Sequence, residues 1–340
     1  LEEGNPGYRV QARKIDYDLM VIDGVMVAGE QETVLPVSLI PNPGGRLFVG
    51  LEGARVVQVD VASLIRMQTI VLPVAPQSPI RHLRLHPTQD LLYVVAGAGG
   101  LVLSSLTGAT LTEFGVEVAS IDSLEVSADG RYVLATGIAG MDPAGIVEQK
   151  HLWFLDAESG VLVTDTILSR ARSPVEVAWQ PDGMDAYVYR ATSSGINRLT
   201  GSRTPAGGRV VLRASDSSNR IILSASGEYL YTWDDMIYSF ERSGFYDSLV
   251  MLSTEHGDAV FQDVTPGVVA LAASPVREAL FVLNEKLGTL TLMDLEGEGE
   301  QVLVPVGRQP IALTVSGDGD RVYVADRGGP GVVVVDVASA

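Results

Sequence analysis

The sequence predicts an all-β fold, a seven-bladed β-propeller built from four-stranded antiparallel blades. The stretch 309–339 contains three short apolar runs, at 311–315, 322–325 and 332–337, which are rich in Val and separated by glycine-bearing turns. Such runs are typical of strands, and turns this short join antiparallel neighbours. The same pattern recurs seven times, with successive turns 41 to 53 residues apart. This period, with four strands in most copies, is characteristic of propeller blades.

Two markers define the seven repeats. The first is a turn between the first two strands, at Pro43-Gly44-Gly45, Pro87-Thr88-Gln89, Ala128-Asp129-Gly130, Pro181-Asp182-Gly183, Ala225-Ser226-Gly227, Pro275-Val276-Arg277 and Gly317-Asp318-Gly319. The second is a residue that closes the third strand: Asp60, Ser104, Asp156, Asn197, Phe240, Asp294 and Asp336. Asp, Asn and Ser at this place can hydrogen-bond the backbone and start a turn, so six of the seven have a mechanical reason to be there. Phe240 is the exception.

The fourth strands and the ends of the chain predict how the ring closes. Fourth strands are expected at 65–72, 110–118, 161–168, 209–213 and 301–306. The last repeat stops before a fourth strand, whereas the segment 1–33 carries strand-like runs at 8–15 and 19–27. We expect an N-terminal strand from this closing segment to complete the last blade, because closure removes exposed strand edges. The whole chain, 1–340, is then one propeller domain with repeats from about residue 34.

Composition restricts the classes of partner. The 340 residues carry 24 Lys and Arg against 42 Asp and Glu, a net charge of −18. This charge disfavours nucleic acid and anionic membranes, and no apolar run is long enough to span a bilayer. The absence of cysteine excludes disulfides and thiolate sites. The chain begins at Leu1 rather than at Met, and we expect a periplasmic or extracellular protein.

Two repeats depart from the plain unit by long connections. Repeat 3 is expected to carry a loop at 137–150, and repeat 5 a long exit at 245–267. Loops of this length are often functional in compact domains. A tolerated surface insertion is the alternative.

A candidate ligand site is expected at the mouth of the central channel, where the first strand of each blade begins. The aligned positions are Val37, His82, Ser123, Glu176, Arg220, Ala270 and Ala312, flanked by Arg81, Asp122 and Gln309. Polar groups therefore gather on one side of the ring. Trp233, beside two aspartates in a predicted turn, adds an aromatic contact for a sugar or cation. The predicted ligand-binding residues are Arg81, His82, Asp122, Glu176, Arg220, Trp233 and Gln309.

Each of these residues has a simpler structural explanation. Charges at a channel mouth often pair with one another, as Arg220 would with Glu176 or Asp122, and Trp233 would pack at the rim. His82 and His86 lie ~13 Å apart along a strand, too far to share a metal ion. His86 is therefore expected to be a turn residue.

Motifs for catalysis or cofactor binding are missing from the sequence. It contains no nucleophile elbow, zinc-protease motif, phosphate-binding loop or calcium loop, and Gly97 to Gly100 connects two strands. We therefore expect no metal and no cofactor.

The repeat resembles a known family. Pro310, the turn Gly317-Asp318-Gly319, the run Val322-Tyr323-Val324 and the strand 333–336 resemble the YVTN repeat of seven-bladed propellers, and 174–188 does so less fully. The resemblance covers nearly all of the chain from Val34 onward. It implies an extracytoplasmic propeller and says little about chemistry.

Two functions remain open at this point. The first is a non-catalytic binding or scaffolding propeller that engages a protein partner or a small polar ligand on its loop-rich face. The alternative is an enzyme of the lactonase or lyase type, since some seven-bladed propellers carry a catalytic His, Glu and Arg around the mouth. By position, that role would fall to His82, Glu176 and Arg220.

Overall fold

The chain folds as an all-β protein of repeated small sheets. The computed structural model describes residues 7–14, 20–26, 40–42, 45–61, 63–116, 119–141, 148–169, 175–181, 183–191, 203–215, 218–239, 244–255, 259–264, 266–295, 301–329 and 331–337. Within these ranges, 28 strands form seven sheets of three to five strands, one for each predicted repeat. The sheets are mainly antiparallel and are consistent with propeller blades. Among the described residues, no helix has the length and apolar character needed to cross a membrane.

The strands follow the repeats along the chain. The N-terminal segment provides β1 (Gly7–Lys14) and β2 (Met20–Met26). Repeat 1 contains β3 (Ile40–Asn42), β4 (Arg46–Leu51), β5 (Arg55–Asp60) and β6 (Arg66–Val71). Repeat 2 contains β7 (Ile80–Leu85), β8 (Leu91–Ala96), β9 (Gly99–Ser104) and β10 (Thr110–Glu113). Repeat 3 contains β11 (Ser120–Val126), β12 (Tyr132–Met141), β13 (Glu148–Asp156) and β14 (Leu162–Ser169).

The second half continues the pattern. Repeat 4 contains β15 (Val175–Trp179), β16 (Ala186–Ala191) and β17 (Val210–Ser215). Repeat 5 contains β18 (Ser218–Leu223), β19 (Tyr229–Ser239), β20 (Gly244–Ser253) and β21 (Ala259–Val264). Repeat 6 contains β22 (Val268–Ala273), β23 (Ala279–Asn284), β24 (Thr289–Asp294) and β25 (Gln301–Pro305). Repeat 7 contains β26 (Pro310–Val315), β27 (Arg321–Asp326) and β28 (Gly331–Asp336).

The sheet of repeat 7 is extended by the N-terminal segment. Its order is β26-β27-β28-β1-β2, so both strand-like runs predicted in this segment join the same sheet. The pairing of β1 with β28 is parallel, with Gln11 opposite Val333, which corrects the expectation of purely antiparallel blades. No hairpin connects β28 to β1, so chain connectivity does not impose an antiparallel direction.

The sheet of repeat 4 also departs from the prediction. The run expected to be a fourth strand forms β17, which pairs in parallel with the second strand, β16, so that Ala186 lies opposite Val210. Parallel neighbours need a long crossover, and residues 192–209 provide that length. The described sheet has three strands instead of four, and the predicted closing residue Asn197 lies outside the described residues.

The two long loops predicted in repeats 3 and 5 are mostly strand. Residues 137–141 and 148–150 extend the hairpin of β12 and β13, and residues 245–264 include most of β20 and all of β21. Because β19 runs to Ser239, Phe240 follows the second strand and does not close the third. The true equivalent is Ser253, which lies opposite Tyr229 just as Asp60 lies opposite Arg46. Repeat 5 therefore also closes its third strand with a short polar residue, Ser253.

Apolar clusters lie between neighbouring sheets, because second strands such as β8 and β23 bury side chains on both faces. Each second strand places one bulky side chain at an equivalent buried position: Phe48, Tyr93, Leu134, Tyr187, Tyr231, Phe281 and Tyr323. The Tyr93 hydroxyl crosses to the next repeat and donates to the Ala157 carbonyl at 2.8 Å. Burial raises the pKa of Tyr93, so its phenol remains a neutral donor.

The first turns are held by short polar side chains. In repeat 7, the Ser316 hydroxyl donates to Asp318 and accepts the Arg321 N–H at 2.8 Å. In repeat 2, His86 takes over this role: its Nδ1 accepts the N–H groups of Thr88 and Gln89 at 3.1 and 2.9 Å. The prediction that His86 is a turn residue is confirmed.

Candidate functional site

A cavity of about 550 Å³ lies between the first strands of repeats 2 to 7. Residues of β7, β11, β15, β18, β22 and β26 line it, and it continues to the first turns at Pro181, Ala225 and Pro275. The lining positions in different repeats are equivalent: Arg84, Glu125, Ala178, Ile222, Ala272 and Thr314 each lie one residue before the end of their strand. The cavity therefore follows the repeat symmetry in backbone and departs from it in side-chain chemistry.

The wall formed by repeats 2 to 4 is charged. Arg84 donates from Nε and Nη2 to the same oxygen of Glu125, Oε1, at 3.1 and 2.8 Å. Arg84 Nη1 also donates to the carbonyl of Leu83 at 3.0 Å, which fixes the plane of the guanidinium. Burial disfavours the charged form of Arg84, but attraction to Glu125, the hydrogen bonds to it and the field of Glu176 together raise the pKa of Arg84. Arg84 is therefore a permanent cation in this wall.

Two further contacts join the repeats along this wall. His82 Nε2 lies 2.8 Å from the backbone carbonyl of Asp122, which requires the proton to be on that nitrogen. The Ser123 hydroxyl donates to Glu176 Oε2 at 3.0 Å and lies 3.3 Å from the N–H of Val177. The side chains of the charged wall therefore line the cavity and also join repeats 2, 3 and 4 to one another.

The described side chains that repeats 5 to 7 contribute to the lining are mostly apolar. They include Ile222 on β18, Ala270 and Ala272 on β22, and Ala312 on β26, and Ser224, Ser274 and Thr314 add hydroxyl groups. At the position of Ala272, repeats 2 and 3 carry the larger side chains of Arg84 and Glu125, so the alanine leaves space that belongs to the cavity. Of the described side chains, a molecule in this cavity would meet charged ones in repeats 2 and 3 and mainly hydrocarbon in repeats 6 and 7.

The structure separates the predicted site residues into two groups. His82 and Glu176 line the cavity. Asp122 occupies a bulge in β11, between Ile121 and Ser123, and its carboxylate pairs with Lys150 and accepts from Ser120 at 3.3 Å. Only 5% of the Lys150 side chain is exposed, so this pair is a buried ion pair of repeat 3.

The other predicted residues lie away from the cavity lining or outside the described side chains. Arg81 and Gln309 are exposed, and the Gln309 N–H donates to Asp326 at 2.7 Å. Trp233 is 4% exposed and packs with Tyr231 between sheets 5 and 6. Its predicted place in a rim turn is wrong because β19 continues past it. The side chain of Arg220 lies outside the described residues, as does Val37.

Sequence reasoning missed Arg84, Glu125 and Lys150. The signal for the first two was present, because strand side chains alternate and residues two positions after His82 and Ser123 face the same way. Lys150 had no comparable signal, since its partner Asp122 is turned by a bulge that spacing does not reveal.

A second recess, of about 390 Å³, lies beside the first turns of repeats 2 and 3. Two of its carboxylates are used by the turns: Asp129 accepts from the Ser127 hydroxyl at 2.7 Å, and Asp156 accepts from the Ser159 hydroxyl at 2.6 Å. Among the described residues, no group of three or more His, Asp or Glu is arranged to hold a metal ion. The cavity between the first strands of repeats 2 to 7 is therefore the better candidate.

Comparisons with known proteins bear on the fold. No protein-family model matches the chain, and no curated protein matches it. A solved chain of hydrazine synthase from Kuenenia stuttgartiensis is similar, with a TM-score of 0.70 and 16% sequence identity over 93% of this chain and 100% of that chain. At this identity the similarity shows the fold alone, an all-β architecture of repeated sheets.

Proposed function

We propose that this chain is a non-catalytic binding propeller that holds a small amphipathic ligand in its central cavity. The observation that carries the proposal is the two-sided lining, with Arg84 and Glu125 facing the alanines of β22 and β26. Small-molecule sites are typically concave, largely apolar and equipped with a few fixed polar groups, and volumes of roughly 300 to 1,000 Å³ are usual. The cavity has each of these properties.

Binding is favoured over catalysis by the way its histidine is held. His82 Nε2 is engaged by the backbone carbonyl of Asp122, while the Asp122 carboxylate pairs with Lys150. The two side chains therefore do not form the imidazole–carboxylate pair that a general base would use. A small ligand is favoured over a protein partner because the expected long loops of repeats 3 and 5 are largely strand.

A closed ring is part of the proposal. Two contacts between the ends of the repeat array support it: Arg321 of repeat 7 donates to the Val61 carbonyl at 3.3 Å, and Ala312 and Tyr323 share an apolar cluster with Leu47 of repeat 1. The pairing of β1 with β28 provides the N-terminal contribution. The YVTN resemblance in the Tyr-Val strands and glycine turns supports an extracytoplasmic location.

The test fills the apolar side of the cavity. Ala272→Phe places a ring against the charged wall and should abolish binding of a panel of benzyl compounds with different head groups, namely benzylamine, benzyl alcohol and benzoate. Binding is measured by ligand-observed NMR on the full chain. Ala109→Phe is the matched control, since Ala109 is exposed in a turn of repeat 2 and does not line the cavity.

The expected result is binding of at least one compound to the wild type and to Ala109→Phe, with loss in Ala272→Phe. Failure of all three compounds to bind the wild type would refute the proposal. Equal binding to wild type and Ala272→Phe would place the site elsewhere and refute it too.

A further inference from the structure

In the charged wall, the carboxylate of Glu125 accepts hydrogen bonds on only one of its two oxygens. Both Arg84 donors that reach Glu125 meet the same atom, Oε1. Within the described part of the chain, no hydrogen bond reaches Glu125 Oε2. The Glu125 side chain is 31% exposed, and it lines the cavity. Glu125 therefore offers an acceptor oxygen on a side chain that lines the space where a ligand would lie.

Arg84 holds this carboxylate in one orientation. The guanidinium is fixed by Leu83 on one side and by Glu125 on the other, and its side chain is 30% exposed. Two donors converging on Oε1 leave Oε2 as the outward oxygen. The pair is thus a rigid acceptor rather than a closed fork-to-fork ion pair, in which both oxygens would be occupied.

The described carboxylates of the cavity disfavour anions. A ligand carboxylate would meet Glu125 and Glu176 in the same wall, and three hydrogen bonds of the Arg84 guanidinium are directed at Glu125 and Leu83. The chain as a whole carries a net charge of −18, which adds a weaker long-range bias in the same direction. An ammonium group would gain a charge-assisted hydrogen bond at Oε2.

We propose that the cavity is selective for small organic cations, whose ammonium group donates to Glu125 Oε2 while the apolar body lies against Ala270, Ala272 and Ala312. This inference rests on the proposed function and adds the ligand class and the residue that determines specificity. Glu125 is the residue that recognises the head group. Alanines on the opposite wall accept the hydrocarbon because they leave room and have no polar atoms to desolvate.

The experiment compares head groups on one hydrocarbon body. Benzylamine, benzyl alcohol and benzoate share the benzyl or phenyl group and differ in charge, so their relative affinities report the head-group contact. Affinities are measured at low ionic strength on the full wild-type chain and on Glu125→Gln. This variant keeps the shape of the side chain, removes its charge and replaces one acceptor oxygen by an NH2 donor. Glu113→Gln is the matched control, since it changes the net charge equally at an exposed position on β10.

In the wild type, benzylamine should bind most tightly and benzoate least. Glu125→Gln should weaken benzylamine about tenfold or more, because a hydrogen bond to a charged group is lost, and should leave benzyl alcohol within about threefold. Retained benzyl alcohol binding also shows that the variant is folded with its cavity intact. Glu113→Gln should match the wild type for all three compounds.

Three outcomes would overturn the inference while leaving the proposed function standing. They are benzoate binding most tightly, equal binding of all three compounds, and benzylamine affinity unchanged in Glu125→Gln, each with binding still lost in Ala272→Phe. The proposed function itself would be refuted if none of the compounds bound the wild type, or if Ala272→Phe bound them as well as the wild type does.

Discussion

Replacement of His86 tests whether this imidazole joins repeats 2 and 3 as the structure indicates. His86 is 3% exposed, and three backbone groups depend on it. Its Nδ1 accepts from Thr88 and Gln89, and its Nε2 donates to the Gly130 carbonyl at 2.8 Å. In His86→Ala, the two N–H groups belong to exposed residues and can be hydrated, which limits their loss to about 0.5–1 kcal/mol each. The Gly130 carbonyl is buried and costs about 1–3 kcal/mol when it loses its partner.

The sum is about 3 kcal/mol of lost stability. Unfolding entropy of about 2.1 cal/mol/K per residue, applied to the 340 residues, gives ~0.7 kcal/mol/K, so Tm should fall by ~4 °C. Thermal melts followed by far-UV circular dichroism at pH 7 measure this shift.

His86→Ser is the informative comparison, because repeat 6 has Ser274 at the same place and its Oγ accepts the Val276 N–H at 3.4 Å. This variant should restore one of the three contacts and recover ~1 °C. A His86→Ala variant within 1 °C of the wild type would refute the assigned role of the imidazole. Equal Tm values for His86→Ala and His86→Ser would show that acceptance of the turn N–H groups by residue 86 does not stabilise the protein.

Two further predictions address the turns. Gly130→Ala should destabilise the protein by more than ~2 kcal/mol, because Gly130 has φ +72° and an added Cβ would lie 2.3 Å from the His86 ring. Gly45→Ala, with φ +78° and open space around the added Cβ, should cost only the ~1 kcal/mol of backbone strain; equal losses measured by urea unfolding would exclude the clash. The second prediction concerns pH: hydrogen bonds from Ser159 lower the pKa of Asp156, so its contribution to stability is present above the unfolded value and is lost as the pH falls through the lower folded value. Asp156→Asn should flatten the decline of the urea midpoint below pH ~4, and an unchanged decline would contradict this assignment.

The repeats could be read from the sequence because each one is a local object. In repeat 7 the observed strands, β26 to β28, agree with the predicted runs to within one residue at each end, since turn glycines and alternating apolar residues act over a few positions. The reading failed in repeat 5, where β19 has 11 residues and β20 has 10. There the hairpin is longer than the reference repeat, and alignment to that reference placed Phe240 at a position that belongs to Ser253.

The candidate site was predicted only in part. Alignment of the first strands identified His82 and Glu176, because equivalent positions in a repeat share the same place around the cavity. It did not identify the pairing of Asp122 with Lys150, which depends on a bulge in β11 and on a side chain from a strand 28 residues away. The alignment also did not show that Trp233 is a core residue. It placed Trp233 in a turn, whereas β19 continues to Ser239.

The sequence by itself determined the number of repeats, their turns and, in five of the seven repeats, the residue that closes the third strand. These features depend on backbone geometry and short-range hydrogen bonds, as in the turn held by Ser316 and Asp318. Only the tertiary structure decided the direction of β1 and β17 and brought Arg84 of repeat 2 against Glu125 of repeat 3. The physical reason is that strand direction and cross-repeat contacts are set by packing between segments that are distant in the chain. The local sequence pattern does not specify this packing.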